Sequence, residues 1–456
     1  MSGDSAHDPY AALRHGGYRH FLAGNFLSNI GRQALSVAAA WQIYQWTNSA
    51  TALGLVGLVN VLPLLALVLP AGVLADQHDR RLIILRSAAV STLLSVALAA
   101  TAHYHASIPR HAVLQQANDI LRHIALVFER HVDPATLNFD HPALPLVYLL
   151  LFLQAITRVL AGPSRAAIVP LLIPPSALSN AVNWSASTFE LSTVVGPALG
   201  GAIVAYWGYS AVYLLDVFTS LALALLLIGV KLTVPPATGG RSAVGMFAGI
   251  DFMWRNPTVL AAMALDLFAV VLGGATALLP IYADKILHVG PAGLGWLRAA
   301  PSAGAICMAM FTAHRHSACR PGLLMLWSVA GFGVSISLFS LSTVFWLSLV
   351  ALFFSGVFDN YSVVVRHSLV QLMTPDALRG RVTAVNQLFI GSSNEISALR
   401  AGLSAALFGP VMAAGVGGLG TIAVTGLIAW IVPSLKRVPP LHQIEPEPEE
   451  LEERPI

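Results

Sequence analysis

Long apolar runs broken by short polar turns set the pattern of this chain, and each run is long enough to cross about 30 Å of hydrocarbon as a helix rising about 1.5 Å per residue. They fall near 21 to 45, 53 to 75, 83 to 103, 146 to 170, 179 to 205 and 209 to 230. Six more lie near 258 to 283, 291 to 314, 321 to 341, 343 to 367, 381 to 407 and 409 to 433. The expected fold is therefore an all-α integral membrane protein of twelve transmembrane helices in two six-helix bundles.

This pattern divides the chain into an N-terminal segment 1–20, a first bundle 21–230, a polar linker 231–257, a second bundle 258–433 and an acidic tail 434–456. An insert, 103–145, interrupts the first bundle between its third and fourth spans. Within it, Arg110 to His131 places Val113, Ile120, Leu121, Ile124 and Phe128 at helical spacing, which predicts an amphipathic helix lying on the bundle or the membrane surface. The insert also carries His103, His105, His111, His123, His131 and His141. Asp119 and His123 share a helical face at a spacing that can hold a metal, but no second paired spacing accompanies it and no metal site is expected.

Composition agrees with the pattern. Of 456 residues 56% are apolar and 10% charged, and the mean hydropathy is +0.71, more apolar surface than a water-soluble core of this size needs. The two cysteines, Cys307 and Cys319, have no ligand-type spacing around them. The net charge of +3 matters less than its placement. Arg14, Arg19, Arg80, Arg81, Arg86, Lys231, Arg241, Arg255, Arg315, Arg320, Arg379, Arg381, Lys436 and Arg437 all fall on one side of the twelve-span arrangement. The short turns around Asn48, Gly208 and Ser342 carry none, and Lys285 beside Asp284 is the exception. By the positive-inside rule both termini are expected in the cytoplasm.

The halves read as copies. Arg165 is followed nine residues later by Pro174 and then by Ala181-Val182-Asn183; Arg366 is followed nine residues later by Pro375 and then by Ala384-Val385-Asn386. Matching order, spacing and position predict a pseudo-twofold axis along the membrane normal.

The turn Gly72-Val73-Leu74-Ala75-Asp76-Gln77-His78-Asp79-Arg80-Arg81 resembles the loop after the second helix in the major facilitator superfamily. Gly72, Asp76, Arg80 and Arg81 match that pattern, while Asp79 stands where Gly is usual. The Phe26-Leu27-Ser28-Asn29-Ile30-Gly31 run, the Trp46 to Gly54 turn and the Thr374 to Val382 junction are similar to the enterobactin-exporter and macrolide-efflux branch, over most of residues 18 to 433. Gly196, Pro197, Gly200 and Gly201 resemble the core of an antiporter motif, with Ser192 where an earlier Gly is common. The resemblance implies the major facilitator fold and a secondary exporter of the bacterial cytoplasmic membrane, with no cofactor beyond a proton gradient. Its partners would be a small amphipathic molecule and the bilayer, not nucleic acid, and a monomer is expected. A proton-coupled uptake symporter, or a lipid or lysolipid transporter of the same fold, would share these features.

Ionisable residues inside spans cost at least about 2.5 to 3.5 kcal/mol each and mark function. Arg32, Arg158, Glu190, Asp266, Asp359 and Glu395 lie mid-span; Asp216, Arg298 and Arg400 lie nearer the outer ends. In this superfamily helices one, four, seven and ten line the cavity, which favours Arg32, Arg158, Asp266 and Asp359, then Glu190, as substrate or proton sites, and Asn25 can add a hydrogen bond. Asp76, Arg80, Arg81, Arg379 and Arg381 are expected to close the cytoplasmic side through contacts between the halves. No P-loop, HExxH or GxSxG is present, so neither ATP-driven transport nor an enzyme is indicated.

Overall fold

The computed structural model describes residues 8–129, 132–230, 251–314 and 320–439, apart from the side chains of residues 376, 377, 379 to 381 and 384. Among the described residues all regular structure is helical. A helix satisfies its own backbone polar groups, and that is the condition for an apolar run to be stable in lipid. In chain order the long helices are α1 (Gly16–Thr47), α2 (Ala50–Gln77), α3 (Arg80–His103), α4 (Ala112–Phe128), α5 (Leu144–Leu172) and α6 (Leu178–Ile228). They are followed by α7 (Pro257–Gly273), α8 (Gly290–His314), α9 (Pro321–Leu341), α10 (Phe345–Met373), α11 (Asp376–Phe408) and α12 (Pro410–Ile431). The path continues beyond α7 through short helical turns to Ile286. Most of the linker and of the acidic tail lies outside the described residues.

Nine helical segments among the described residues are both long and apolar enough to span a bilayer. One of them, Pro175–Ile228, runs 54 residues and turns back at Gly208, whose φ of 78° suits a residue without a Cβ, so it holds two crossings. Helices α1 and α11, at 32 and 33 residues, have the length but carry more polar positions. With these, twelve crossings are accommodated. The turn between α11 and α12 also uses a left-handed glycine, Gly409 with φ 82°. Gly208 and Gly409 are 201 residues apart, as are Arg165 and Arg366, so the repeat extends to the turns.

Helix starts follow ordinary capping chemistry. Ser49 accepts from the Ala52 amide at the start of α2, and Asn256 from the Val259 amide at the start of α7. Asp79 accepts from the amides of Arg81 and Leu82 at 2.8 and 3.4 Å. Its departure from the superfamily pattern is thus a helix cap for α3.

The first half gathers α1, α2, α3, α5 and α6, and the second gathers α7 to α12; they meet along α2 with α11 and along α6 with α8. Both seams are glycine-lined near the side that bears the insert. A Cβ on Gly54 would come within 3.1 Å of Gly402 Cα, and one on Gly201 within 2.8 Å of Gly295 Cα. Gly196 and Gly200 face the backbone of α1 at Ile30 and Ala34, so one motif brings α6 against both α1 and α8. Hydrogen bonds between the halves reinforce this side: Gln45 donates to Asp284 at 3.0 Å and Arg298 to Ser36 at 2.8 Å.

The insert helix departs from the expected stripe. Leu121, Ile124, Ala125 and Phe128 pack inward, whereas Val113 and Ile120 are 74% and 61% exposed. At about 100° per residue Val113, Ile120 and Val127 form a second face, which the simple count of apolar positions merges with the first. Helix α4 touches α2 and α5 of its own half and α11 of the other. Just beyond it, Glu129 is buried and accepts from the Ser49 hydroxyl at 2.6 Å and the Thr51 amide at 2.8 Å, binding the insert to the amide end of α2.

The insert is also held by stacked rings. Trp46 and His141 lie 3.7 Å apart at 9°, with His105 5.2 Å from His141, and Asn118 of α4 donates to the His141 carbonyl. Burial, and then the neighbouring His105, push the His141 imidazole down to about 4. Between its ordinary value near 6.5 and about 4, a released insert binds a proton that the docked insert refuses, so docking weakens as pH falls through that window. The mobility of a spin label at Val113 is expected to rise over that range and to stay flat in His141→Phe; a flat response in the parent would contradict the sign.

Candidate functional site

Ionisable groups gather in two clusters, one built mainly on each half. In the second half, Arg366 of α10 donates to Asp266 of α7 at 2.5 Å, and the two side chains are 2% and 9% exposed. Asp359 lies seven residues before Arg366, hence on the same face of α10, within electrostatic range of Asp266, Arg366 and Glu190 of α6. Two carboxylates, Asp266 and Asp359, thus share one arginine, with Glu190 a third acid within range of Asp359. That arrangement can accept and release protons as the surroundings change between wet and dry.

In the first half, a cavity of about 100 Å³ is lined by Arg32, Asn60, Gln154, Arg158, Arg165 and Asp216, among others. Arg32 donates to Asn29 at 2.7 Å and Arg158 to Asn60 at 3.0 Å. Arg165 reaches Asn25 at a long 3.4 Å. Asp216 accepts from the Ser95 hydroxyl at 2.6 Å, and Ser95 in turn accepts from Gln154 at 2.9 Å. Arg158 of α5 also lies 3.9 Å from Glu395 of α11, a contact between the two halves.

The structure therefore brings Arg32, Arg158 and Asn25 to one cluster, with Glu395 of the other half beside Arg158, and Asp266, Asp359 and Glu190 to the other. Asp216, Arg165 and Arg366 are members of these clusters that the sequence does not single out. Asp216 reads from the sequence as lying near an outer end; with the turn at Gly208 it lies eight residues inside the second arm of α6, about 12 Å deep. Arg165 and Arg366 stand out in the sequence only as markers of the repeat, and that equivalence is the signal that could have found them.

The contacts described for the α2–α3 turn are local. Asp76 pairs with Arg80 at 3.7 Å, Arg80 donates to the Ala167 carbonyl, and Arg81 donates to the carbonyls of Leu227 and Ile228, all within the first half. Gly72 has open space around it. Arg379 and Arg381 lie on the first turns of α11, and their side chains fall outside the described residues. His123 Nδ1 contacts the Asp119 main-chain carbonyl at 2.6 Å on an exposed part of α4. Among the described residues no group of three potential metal ligands gathers anywhere.

A second cavity, of about 920 Å³, opens under the insert between the ends of both halves, lined by Tyr44, Glu129, Thr136, Lys285, Ala405 and Met412 among others.

Comparison with known proteins bears on what this arrangement does. A family model described as transmembrane secretion effector matches residues 7–115 and 134–450, and the gap between the two segments falls on the insert helix. The enterobactin exporter EntS of Escherichia coli O1:K1 is 25% identical over 424 residues, 93% of each chain, and EntS of Citrobacter koseri is equally similar. Among solved structures, an inward-facing bacterial homologue of the human lysosomal transporter Spinster aligns over 94% of this chain and 97% of its own, with a TM-score of 0.63 at 14% identity. An inward-facing bacterial homologue of the iron transporter ferroportin aligns over 93% and 99%, with a TM-score of 0.63 at 15% identity.

Proposed function

Because the chain belongs to the transmembrane secretion effector family of the major facilitator superfamily, we propose that it exports a small amphipathic molecule, siderophore-like or drug-like, by alternating access and in exchange for protons. The bacterial cytoplasmic membrane is its site, with both termini in the cytoplasm, and it works as a monomer. On that orientation the glycine seams close the outer side and the cleft faces inward. The observation that carries the reading is the pair of ionisable clusters, one on each half of the repeat. Asp266, Asp359 and Glu190 are the proton carriers, and Arg32, Arg158 and Asn25 belong to the substrate wall.

Inside-out vesicles test direction and coupling together. Uptake of the substrate into their lumen is expected to require a proton gradient and to stop when the gradient is collapsed; gradient-driven loss from the lumen would identify an uptake symporter instead. Growth of an expressing strain against antibiotics, dyes and siderophores supplies the substrate for that assay.

The α2–α3 turn is the inner gate in this reading. Asp76→Asn removes a weak local pair in the inward-facing state but a contact between the halves in the outward-facing one, so it favours the inward-facing state. Labelling of a cysteine in the outer cavity is expected to slow several-fold; equal rates in variant and parent would count against the gate.

A further inference from the structure

The repeat places an arginine at equivalent positions in the two halves and gives each a different partner. Arg366 meets the carboxylate of Asp266, whereas Arg165 meets the neutral amide of Asn25, at a distance that makes a weak hydrogen bond. Arg165 Nε is buried without a hydrogen-bond partner, as is Arg366 Nε, so the two sites differ in the carboxylate and not in this nitrogen. Around Arg165 the balance of charge is uneven. Asp216 is the carboxylate within electrostatic reach of Arg32 and Arg165, and Glu395 is shared between Arg158 and Arg298. Four guanidinium groups thus face two carboxylates, one of which already accepts from Ser95. A surplus of positive charge at this depth is costly unless something neutralises it. The cavity between Arg32, Arg158 and Arg165 has space for a few water molecules, enough for a small charged group but not for a whole amphipathic molecule.

From this we infer that Arg32, Arg158 and Arg165 receive an anionic oxygen group of the transported molecule, such as a carboxylate, a catecholate or a phosphate, whose apolar remainder lies in the cleft. Guanidinium geometry suits paired oxygens on one centre or on adjacent carbons. The inference rests on the cleft being the transport path and adds the charge of the cargo. The same chemistry is offered by a free organic anion and by the headgroup of an anionic lysolipid.

Calorimetric titration of the whole protein in phosphatidylcholine nanodiscs tests this with three probes: salicylate, its neutral amide salicylamide, and lysophosphatidylglycerol. Salicylate is expected to bind saturably and salicylamide at least tenfold more weakly. Arg165→Gln is expected to weaken salicylate at least tenfold, and Arg165→Lys less. Asn25→Asp supplies the carboxylate that the other half already has; it should expel the anion, again by tenfold or more, while leaving the unfolding temperature equal or higher. That outcome separates a lost ligand from a lost fold. Binding of lysophosphatidylglycerol alone, with the same dependence on Arg165 and Asn25, supports the site and assigns it to a lipid headgroup. Anion affinities within twofold of the parent in both Arg165→Gln and Asn25→Asp, or no binding of either anion, would overturn the proposal. These titrations use no proton gradient, so a failure of proton-coupled efflux would leave their outcome unaffected.

Discussion

Asp266→Asn is expected to abolish transport and to lower the unfolding temperature by several degrees. The substitution leaves the Arg366 guanidinium buried beside a neutral amide, and removing one member of a buried ion pair costs about 3 to 5 kcal/mol. Asn keeps a carbonyl that can still accept from Arg366, which places the effect at the lower end of that range. Pairing it with Arg366→Gln removes the stranded charge, so the double variant should recover most of the stability and none of the transport. Thermal unfolding in detergent, read beside efflux in vesicles, separates the two roles. A single variant with the parent's stability and transport would show that the pair neither holds α7 to α10 nor carries protons.

Gly402→Leu should trap the opposite conformation. A side chain at residue 402 would land on the backbone of Gly54 and Ala50, so α2 and α11 could not close on the insert side. Overpacking of this kind costs about 1 to 3 kcal/mol, and it falls on the closed-outside state alone. The population should then shift toward the outward-open state by roughly tenfold, since every 1.4 kcal/mol is a factor of ten. Ala50 is 9% exposed in the closed seam, and a cysteine there, in a background lacking Cys307 and Cys319, is expected to label at least tenfold faster in Gly402→Leu. Transport should be lost because the cycle cannot complete. Unchanged labelling would mean that the seam does not open during the cycle.

Much of this is legible in the sequence because the bilayer imposes a coarse and strict rule: apolar runs of a fixed length must be helices. The spans, the repeat of Arg165 and Arg366, and the glycine motif on α6 all follow from that rule and from order along the chain. What stays hidden depends on which side chains meet. Asp216 looks peripheral until the left-handed Gly208 sets where the second arm of α6 begins. Val113 and Ile120 count as part of the docking stripe by spacing alone, although only tertiary packing decides which of two apolar faces of α4 is used. Asp79 looks like a flaw in a motif and proves to be a cap. The uneven partners of Arg165 and Arg366, Asn25 against Asp266, can be read only once the packing of α1 on α5 and of α7 on α10 is known.

The central claim is that the two halves rock about the buried carboxylates, opening one side as the other closes. Distances between paired spin labels test it directly, with one pair at Asn48 and Phe408 on the insert side and another at Gln77 and Gln371 on the opposite side. Between pH 5.5 and pH 8 the two distances are predicted to shift in opposite directions, and both shifts should vanish in Asp359→Asn. Distances that ignore pH, or that lengthen and shorten together, would contradict it.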